Sequence, residues 1–170
     1  MCKSEKSNII LTGFMGSGKS TVGKTVAKRL NMNFVDMDDY IEQNEKMNIS
    51  EIFNKYGEEY FRKCETEAAK ILGNAENTVI SCGGGTVMNS QNVEFLKRQG
   101  TVFYLNADIT VLFSRISNDT SRPLAKNKDK ITLATLLEKR KPVYLETCDV
   151  IIDANNKVED VAEQICRLFI

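Results

Sequence analysis

The sequence predicts an α/β fold in which a five-stranded parallel sheet lies between two layers of helices, a three-layer αβα arrangement. Short apolar segments rich in Val and Ile alternate with longer amphipathic segments along the chain, which is typical of βαβ units. The length of 170 residues fits one domain with a sizeable core. A glycine-rich motif also separates the first strand from the first helix, as in folds that bind phosphate. We therefore expect one domain over residues 1–170.

The predicted strands are short and apolar, as buried parallel strands are. They cover Asn8–Thr12, Asn33–Asp36, Thr78–Cys82, Thr101–Leu105 and Asp149–Ile152. The helices between them are indicated by apolar residues at helical spacing and, at Asn48 and Glu51, by a capping pattern. They cover Lys19–Leu30, a segment that begins at Asn48, Glu58–Leu72, Gln91–Gln99, Ile109–Ser117, Thr132–Arg140 and Val158–Phe169.

Composition excludes several classes of function. Lys plus Arg and Asp plus Glu are both 23, so no basic excess favours nucleic acid as a partner. The chain has no histidine, which excludes a histidine base, a Ser-His-Asp triad and histidine metal ligands. Its five cysteines form no C-x-x-C pair, so we expect a reducing cytoplasm. No apolar stretch approaches the ~20 residues of a membrane span, and the polar N-terminus is not expected to be a signal peptide.

Residues 13–20 match the pattern G-x-x-x-x-G-K-[ST] directly after the first predicted strand. Because backbone N–H groups and a helix N-terminus face an anion there, the motif predicts a phosphate-binding loop. Lys19 is expected to reach the β- and γ-phosphates of a nucleotide, and the Ser20 hydroxyl to ligate Mg²⁺. The alternative is a glycine-rich turn that only joins strand to helix. The nucleotide-binding residues expected here are Gly16, Ser17, Gly18, Lys19, Ser20 and Thr21.

Two aspartates follow the second predicted strand, where parallel sheets bind ligands. In an extended segment Asp36 and Asp38 point the same way. Asp36 is expected to orient Mg²⁺ through a water, and Asp38 to accept a hydrogen bond from a substrate hydroxyl. The alternative is that Asp38 or Asp39 caps a helix.

Three further features lie near predicted strand ends or in loops. Gly83, Gly84 and Gly85 permit close approach of the backbone to a ligand, the alternative being a flexible turn. The polar segment 117–130 suggests a lid, the alternative being a solvated surface loop. Three arginines, any one of which could instead form a surface ion pair, offer forks for carboxylates or phosphates. They are Arg62, Arg122 and Arg140.

Together these motifs closely resemble the shikimate kinase family, over nearly the whole chain and in order. The resemblance rests on the glycine-rich loop, Asp36-x-Asp38, Phe61-Arg62-x-x-Glu65, Gly83-Gly84-Gly85, Arg122-Pro123-Leu124 and Lys139-Arg140-x-Pro142-x-Tyr144. It implies a P-loop NTPase fold of the nucleoside monophosphate kinase type, with substrate-binding helices at about 37–65 and a lid at about 117–130. It also implies transfer of the ATP γ-phosphoryl group to the 3-hydroxyl of shikimate, in chorismate and aromatic amino acid biosynthesis.

The resemblance implies a role for each matched residue. Asp38 would position the acceptor hydroxyl or act as its base, with Lys19 and Arg122 as the other catalytic groups. Arg62 and Arg140 would bind the substrate carboxylate, and Gly83 to Gly85 would approach the ring, Gly84 most directly. The apolar walls around the ring would be Phe53, Phe61, Pro123 and Leu124. Arg115, Arg122 and Asn155 would complete the ATP site. Monomers that bind ATP, Mg²⁺ and shikimate are expected, without nucleic acid or membrane partners.

One position departs from the family pattern, because the lid reads Arg122-Pro123-Leu124-Ala125 where Leu often stands last. The shorter Ala side chain changes lid packing but removes no catalytic group. Two alternatives remain: another small-molecule P-loop kinase, for gluconate or nucleoside monophosphates, or a nucleotide-binding homologue without catalysis. The sequence lacks the D-x-x-G pattern of guanine-nucleotide switches and keeps Lys19 and Asp38, which a degenerate homologue would be expected to lose.

Overall fold

The computed structural model describes residues 6–118 and 129–170, and within them the chain alternates between strands and helices. The five strands are β1 (Asn8–Thr12), β2 (Asn33–Asp36), β3 (Thr78–Ser81), β4 (Gly100–Asn106) and β5 (Val150–Asp153). The seven α-helices of the described residues are α1 (Lys19–Leu30), α2 (Met37–Glu45), α3 (Ile49–Leu72), α4 (Ser90–Lys97), α5 (Ile109–Asn118), α6 (Lys130–Thr147) and α7 (Val158–Phe169). A short 3₁₀ turn covers Thr86–Met88.

All five strands are parallel, in the order β2-β3-β1-β4-β5, which confirms the predicted sheet. β1 lies in the centre, between β3 and β4. The chain first forms β2 and β3 on one side of β1 and then crosses to form β4 and β5 on the other side. Side chains of a strand alternate between the two faces of a sheet. Accordingly Ile9 and Leu11 pack into one buried apolar cluster, and Ile10 packs into the other. Helices cover both faces, and the carboxyl end of β1 is where a ligand site is expected.

Helix α2 lies within the substrate-binding helices at about 37–65 that the family resemblance implies, but the residue pattern alone predicts one extended segment for the two aspartates at the end of β2. That prediction is wrong, because the Asp36 side chain caps α2 by accepting hydrogen bonds from the N–H groups of Asp38 and Asp39. Asp38 therefore lies in the first turn of a helix. The capping alternative is correct in kind, although the capping residue is Asp36 and not Asp38 or Asp39.

Two predicted helices join into one element, α3, and one other helix, α6, extends beyond its predicted bounds. Helix α3 begins at Ile49 with the predicted Asn48–Glu51 capping box and continues to Leu72 across Gly57, whose φ of 82° and ψ of 173° interrupt the helix. Helix α6 continues past Arg140 to Thr147 with Pro142 inside it. A proline inside a helix removes one backbone hydrogen bond, so the local preference at Pro142 opposes this extension. Packing of α6 on the core, where Tyr144 is fully buried, outweighs that local preference.

Within the described ranges, no helix is long and apolar enough to cross a membrane.

Candidate active site

The glycine-rich loop joins β1 to α1, and hydrogen bonds connect its end to its beginning. Gly16 has a φ of 79° and Gly18, the N-cap of α1, a φ of 90°, conformations that only glycine adopts readily. The buried Lys19 ammonium donates to the carbonyls of Gly13, at 2.8 Å, and Phe14, at 3.0 Å. The lysine thus ties the two ends of the loop together, and the loop is preformed around the N-terminus of α1, where a phosphate group is bound most favourably.

The end of β2 brings a carboxylate to the first turn of α1. The Ser20 hydroxyl donates to Asp36 Oδ2 at 2.5 Å, and Ser81 Oγ lies 3.4 Å from Ser20 Oγ. A hydroxyl and a carboxylate side by side suit Mg²⁺, which prefers oxygen ligands and retains several waters. No group of three His, Cys, Asp or Glu side chains among the described residues could hold a metal ion by itself. Nucleotide phosphates and water would have to complete such a site.

Asp38 faces the turn that Gly83, Gly84 and Gly85 form after β3, which we call the glycine turn. A Cβ atom built on Gly83 would lie 3.0 Å from Asp38 Oδ1, so a side chain at position 83 would press on the carboxylate. A helix, rather than the predicted extended segment, positions Asp38 here. The carboxylate lies on the same cleft as the phosphate loop, because Asp38, Gly83 and Lys19 all line it.

Arg140 comes from another element, α6. Its Nη1 lies 3.3 Å from the Cβ that Gly84 would carry, and its guanidinium carbon lies 6.0 Å from the centre of the Phe14 ring. The Tyr144 hydroxyl, one turn later on α6, donates to the Gly84 carbonyl at 2.5 Å. The glycine turn is therefore enclosed between α6 and the phosphate loop, and Arg140 reaches the cleft beside Gly84.

Arg62 approaches the same turn from α3. Its Nη1 donates to Glu65 at 2.5 Å and lies 2.7 Å from the position of a Cβ on Gly85; its Nη2 donates to Glu58 at 3.1 Å. Glu65 is buried and also accepts from the Thr86 hydroxyl at 2.9 Å. Partial burial opposes the charge of the guanidinium, but the two glutamates outweigh it and raise the pKa of Arg62. The arginine is held cationic against the turn.

The two phenylalanines predicted as apolar walls are buried to different extents. Phe61 is buried, and its ring centre lies 4.9 Å from that of the half-buried Phe53. Both rings belong to the apolar cluster beneath α2 and α3. The predicted lid residues lie outside the described residues. They are Arg122, Pro123 and Leu124.

At the other end of the cleft, Arg115 on α5 donates to the carbonyls of Gly16, at 3.4 Å, and Asn156, also at 3.4 Å. Asn155 uses its side-chain amide within the turn: its Oδ1 accepts from the Asp108 N–H at 2.9 Å and its Nδ2 donates to Asp153 at 2.8 Å. Asn156 and Lys157 line this end of the cleft. Contact between the Asn155 side chain and the adenine of ATP stays a prediction. The turn that Asn155 closes places Asn156 and Lys157 at the cleft.

One cleft of about 630 Å³ contains most of these groups. The predicted residues that line it are Gly16, Ser17, Gly18, Lys19, Ser20, Thr21, Asp36, Asp38, Gly83, Gly84, Arg115 and Arg140. Arg62 and Gly85 lie in contact with each other beside it. Cys82 also lines it, but burial raises the pKa of this thiol, so Cys82 is a poor nucleophile.

Sequence reasoning gave no role to three groups of this site. Glu65 was noted only as a neighbour of Arg62, although a carboxylate three residues further on a helix is a signal for such a pair. Thr86 and Tyr144 carry no such local signal, because their partners Glu65 and Gly84 are 21 and 60 residues away in the chain.

The site combines a phosphate loop after β1 of a parallel sheet, a carboxylate beside the glycine turn, and two arginines. This combination defines a P-loop kinase with a small anionic acceptor. The sequence profile of the shikimate kinase family matches residues 15–169. The chain belongs to the shikimate kinase family.

Individual relatives agree with that assignment. The shikimate kinase of Caldanaerobacter subterraneus subsp. tengcongensis is 44% identical over 165 residues, covering 96% of each chain. The solved structure of shikimate kinase from Acinetobacter baumannii in complex with shikimate superposes with a TM-score of 0.90 at 36% identity, covering 97% of this chain and 93% of that one. A gluconokinase from Sinorhizobium meliloti 1021 matches with a TM-score of 0.60 at 17% identity, covering 98% of this chain and 93% of that one, and shares the fold alone.

Proposed function

We propose that this chain transfers the γ-phosphoryl group of ATP to the 3-hydroxyl of shikimate, giving shikimate 3-phosphate and ADP in chorismate and aromatic amino acid biosynthesis. Membership of the shikimate kinase family supports this activity. The observation that carries it for this site is the shared cleft, which holds a phosphate loop, Asp38, Gly84 and Arg140 together. Shikimate is a small carboxylate with three ring hydroxyls, so it needs cations and a hydroxyl acceptor.

We call residues 13–21 together with Asp36 the donor side. Backbone N–H groups of the loop and the Lys19 ammonium bind the ATP phosphates. Ser20 and, through a water, Asp36 would hold Mg²⁺, which would supply positive charge against the nucleotide phosphates. The adenine end lies near Arg115 and the turn at Asn155.

We call Asp38, Arg62, Gly83–Gly85 and Arg140 the acceptor side. Arg140 and Arg62 bind the shikimate carboxylate, since guanidinium forks match carboxylate oxygens. The glycines allow the ring to approach the backbone, as the closeness of Gly83 to Asp38 and of Gly84 to Arg140 indicates. Phe53 and Phe61 on α3, together with Pro123 and Leu124 of the lid, supply apolar walls.

The chemical step joins the two sides. The 3-hydroxyl oxygen forms a bond to the γ-phosphorus while the bond from that phosphorus to the β–γ bridging oxygen breaks, leaving ADP. The hydroxyl proton passes to the Asp38 carboxylate, which also orients the attacking oxygen. Arg122, from the lid at about 117–130, closes over the transferring group and excludes water, so that phosphoryl transfer to water is suppressed.

The proposal extends to the organisation of the protein. Residues 1–170 form one kinase domain, with substrate-binding helices at about 37–65. The protein acts as a monomer in the cytoplasm with ATP and shikimate as its small-molecule partners, and it binds neither nucleic acid nor membranes. The balanced charge of 23 basic and 23 acidic residues supports the last point.

An acceptor panel tests the activity. The protein is mixed with MgATP and, separately, shikimate, gluconate or a nucleoside monophosphate, and ADP release is followed in a coupled assay. Of the three acceptors, we expect only shikimate to give ADP release above the acceptor-free control. We expect no such release when EDTA removes Mg²⁺. Folded protein that binds ATP but releases no shikimate-dependent ADP contradicts the proposal, as does faster turnover of another acceptor.

A further inference from the structure

Tyr144 lies directly behind the acceptor side and has no part in the chemistry described above. Its side chain is fully buried, and its hydroxyl donates to the Gly84 carbonyl at 2.5 Å. Arg140 precedes it by one turn of α6, so both side chains leave the same face of the helix. One face of α6 therefore supplies both a substrate-binding cation and a hydrogen bond to the glycine turn.

Gly84 is where the two halves of the cleft meet. A Cβ on Gly84 would lie 3.3 Å from Arg140 Nη1, 3.8 Å from the Gly13 carbonyl oxygen and 3.8 Å from the Met15 nitrogen. Its neighbour Gly85 is equally confined, with Arg62 Nη1 2.7 Å from its own Cβ position. A rotation of the peptide that joins these two glycines would alter the contacts of both arginines at once.

The hydrogen bond of Tyr144 fixes the orientation of that peptide. The Gly84–Gly85 peptide is trans, and in a planar trans peptide the N–H points opposite to the carbonyl. With the Gly84 carbonyl directed at Tyr144, the Gly85 N–H is directed away from Tyr144. The Thr86 N–H closes the turn by donating to the Gly83 carbonyl at 3.2 Å. A turn closed in this way still permits two orientations of its central peptide, and the hydrogen bond of Tyr144 favours one of them.

The hydroxyl is suited to this task because it remains protonated. Burial raises the pKa of Tyr144 to about 12, against the opposing effect of the Arg140 guanidinium. The ring is held by stacking on Tyr104, with ring centres 5.1 Å apart. Deletion of the hydroxyl removes this donor from the Gly84 carbonyl, and with it the hydrogen bond that orients the Gly84–Gly85 peptide.

We propose that Tyr144 is a positioning residue for the acceptor: its hydroxyl fixes the Gly84–Gly85 peptide so that the glycine turn and Arg140 meet shikimate in one preformed geometry. This inference rests on the proposed function. It assigns Tyr144 to acceptor binding and not to ATP binding, because its hydrogen bond ends on the glycine turn and not on the phosphate loop.

Tyr104 offers a matched control. It is the other member of the stacked pair, it is equally buried, and burial also raises its pKa to about 12. Its hydroxyl donates to Asn106 Oδ1 at 3.2 Å, away from the glycine turn. Tyr104→Phe and Tyr144→Phe thus remove the same atom from the same aromatic pair, and they differ in whether the glycine turn loses a partner.

The experiment measures KM for shikimate, KM for ATP and kcat in wild type and both variants, with thermal unfolding curves. We expect Tyr144→Phe to raise KM for shikimate about tenfold, the effect of one lost buried hydrogen bond, with KM for ATP within about twofold of wild type. We expect Tyr104→Phe to leave all three constants near wild type.

Three results overturn the inference: equal effects of the two variants, a parallel rise in both KM values for Tyr144→Phe, or a Tyr144→Phe protein that is unfolded where Tyr104→Phe is folded. In the last case the hydroxyl is a stabilising group of the core. Failure of the proposed function is distinguishable, because then wild type itself shows no shikimate-dependent ADP release.

Discussion

The donor side of the cleft is built from one continuous segment, residues 13–21, and one further side chain, Asp36, whereas the acceptor side collects groups from four elements. Gly16 to Ser20 form a loop that is held by its own lysine and its own backbone. The acceptor groups come from α2, α3, the turn after β3, and α6, and they meet only because the sheet brings these elements to one edge.

This difference shows why the donor side is recognisable from a short motif and the acceptor side is not. A phosphate is bound mostly by backbone N–H groups, whose arrangement depends on local conformation. A carboxylate and a particular hydroxyl need side chains at fixed distances, and these depend on supporting contacts such as that between Glu65 and Arg62. Variants of the acceptor side should therefore separate acceptor binding and chemistry from ATP binding.

Asp38→Asn is expected to have the largest effect. The amide cannot take the hydroxyl proton, so kcat should fall by roughly 10²- to 10⁴-fold, the range for loss of a general base. Shikimate affinity, measured by calorimetry, should change much less because the arginines remain. The matched control is Asp39→Asn, which removes a carboxylate from the same turn of α2 at an exposed position and should leave kcat unchanged. A wild-type kcat for Asp38→Asn would show that the assigned role is wrong.

Arg140→Ala should follow in size. Loss of a charged hydrogen-bond donor costs about 1.5–3 kcal/mol, so KM for shikimate should rise roughly 10- to 100-fold. KM for ATP should change little, because Arg140 belongs to the acceptor side and approaches the donor side at the Phe14 ring. Steady-state kinetics against each substrate measures the difference. Lys139→Ala, an exposed neighbour on the same helix, is the control for loss of positive charge. Equal rises in the two KM values would argue against a separate acceptor side.

Glu65→Gln should give the smallest change of the three. The amide keeps the shape and can still accept from Thr86, but it loses the ionic partner of Arg62, which retains Glu58. We expect about a threefold to tenfold rise in KM for shikimate and a loss of about 1–2 kcal/mol of unfolding free energy. Urea denaturation and steady-state kinetics measure the two effects. Glu67→Gln, exposed on the same helix, should change neither; an unchanged KM for Glu65→Gln would mean that Arg62 needs no support.

The sequence was most informative where structure is local. The bounds of β1, α1 and β2 match the prediction, because a run of apolar residues and a glycine-rich turn determine them over short distances. It was misleading at Asp38, since an alternating pair of aspartates resembles an extended segment as much as a capped helix. It also ended α6 too early, at Arg140, because burial of Tyr144 was not visible in the sequence.

By itself the sequence determined the parallel sheet, the phosphate loop with Lys19 and Ser20, and the set of residue types that a carboxylate-bearing, hydroxylated acceptor requires. Hydrophobic periodicity and backbone conformation are short-range properties, so no knowledge of the fold was needed. The tertiary structure alone decided which groups meet: Asp38 against Gly83, Arg62 between Glu65 and Gly85, and Tyr144 on the Gly84 carbonyl. Apart from the local pair of Arg62 and Glu65, these contacts join residues far apart in the chain, and only packing of helices on a common sheet brings them together.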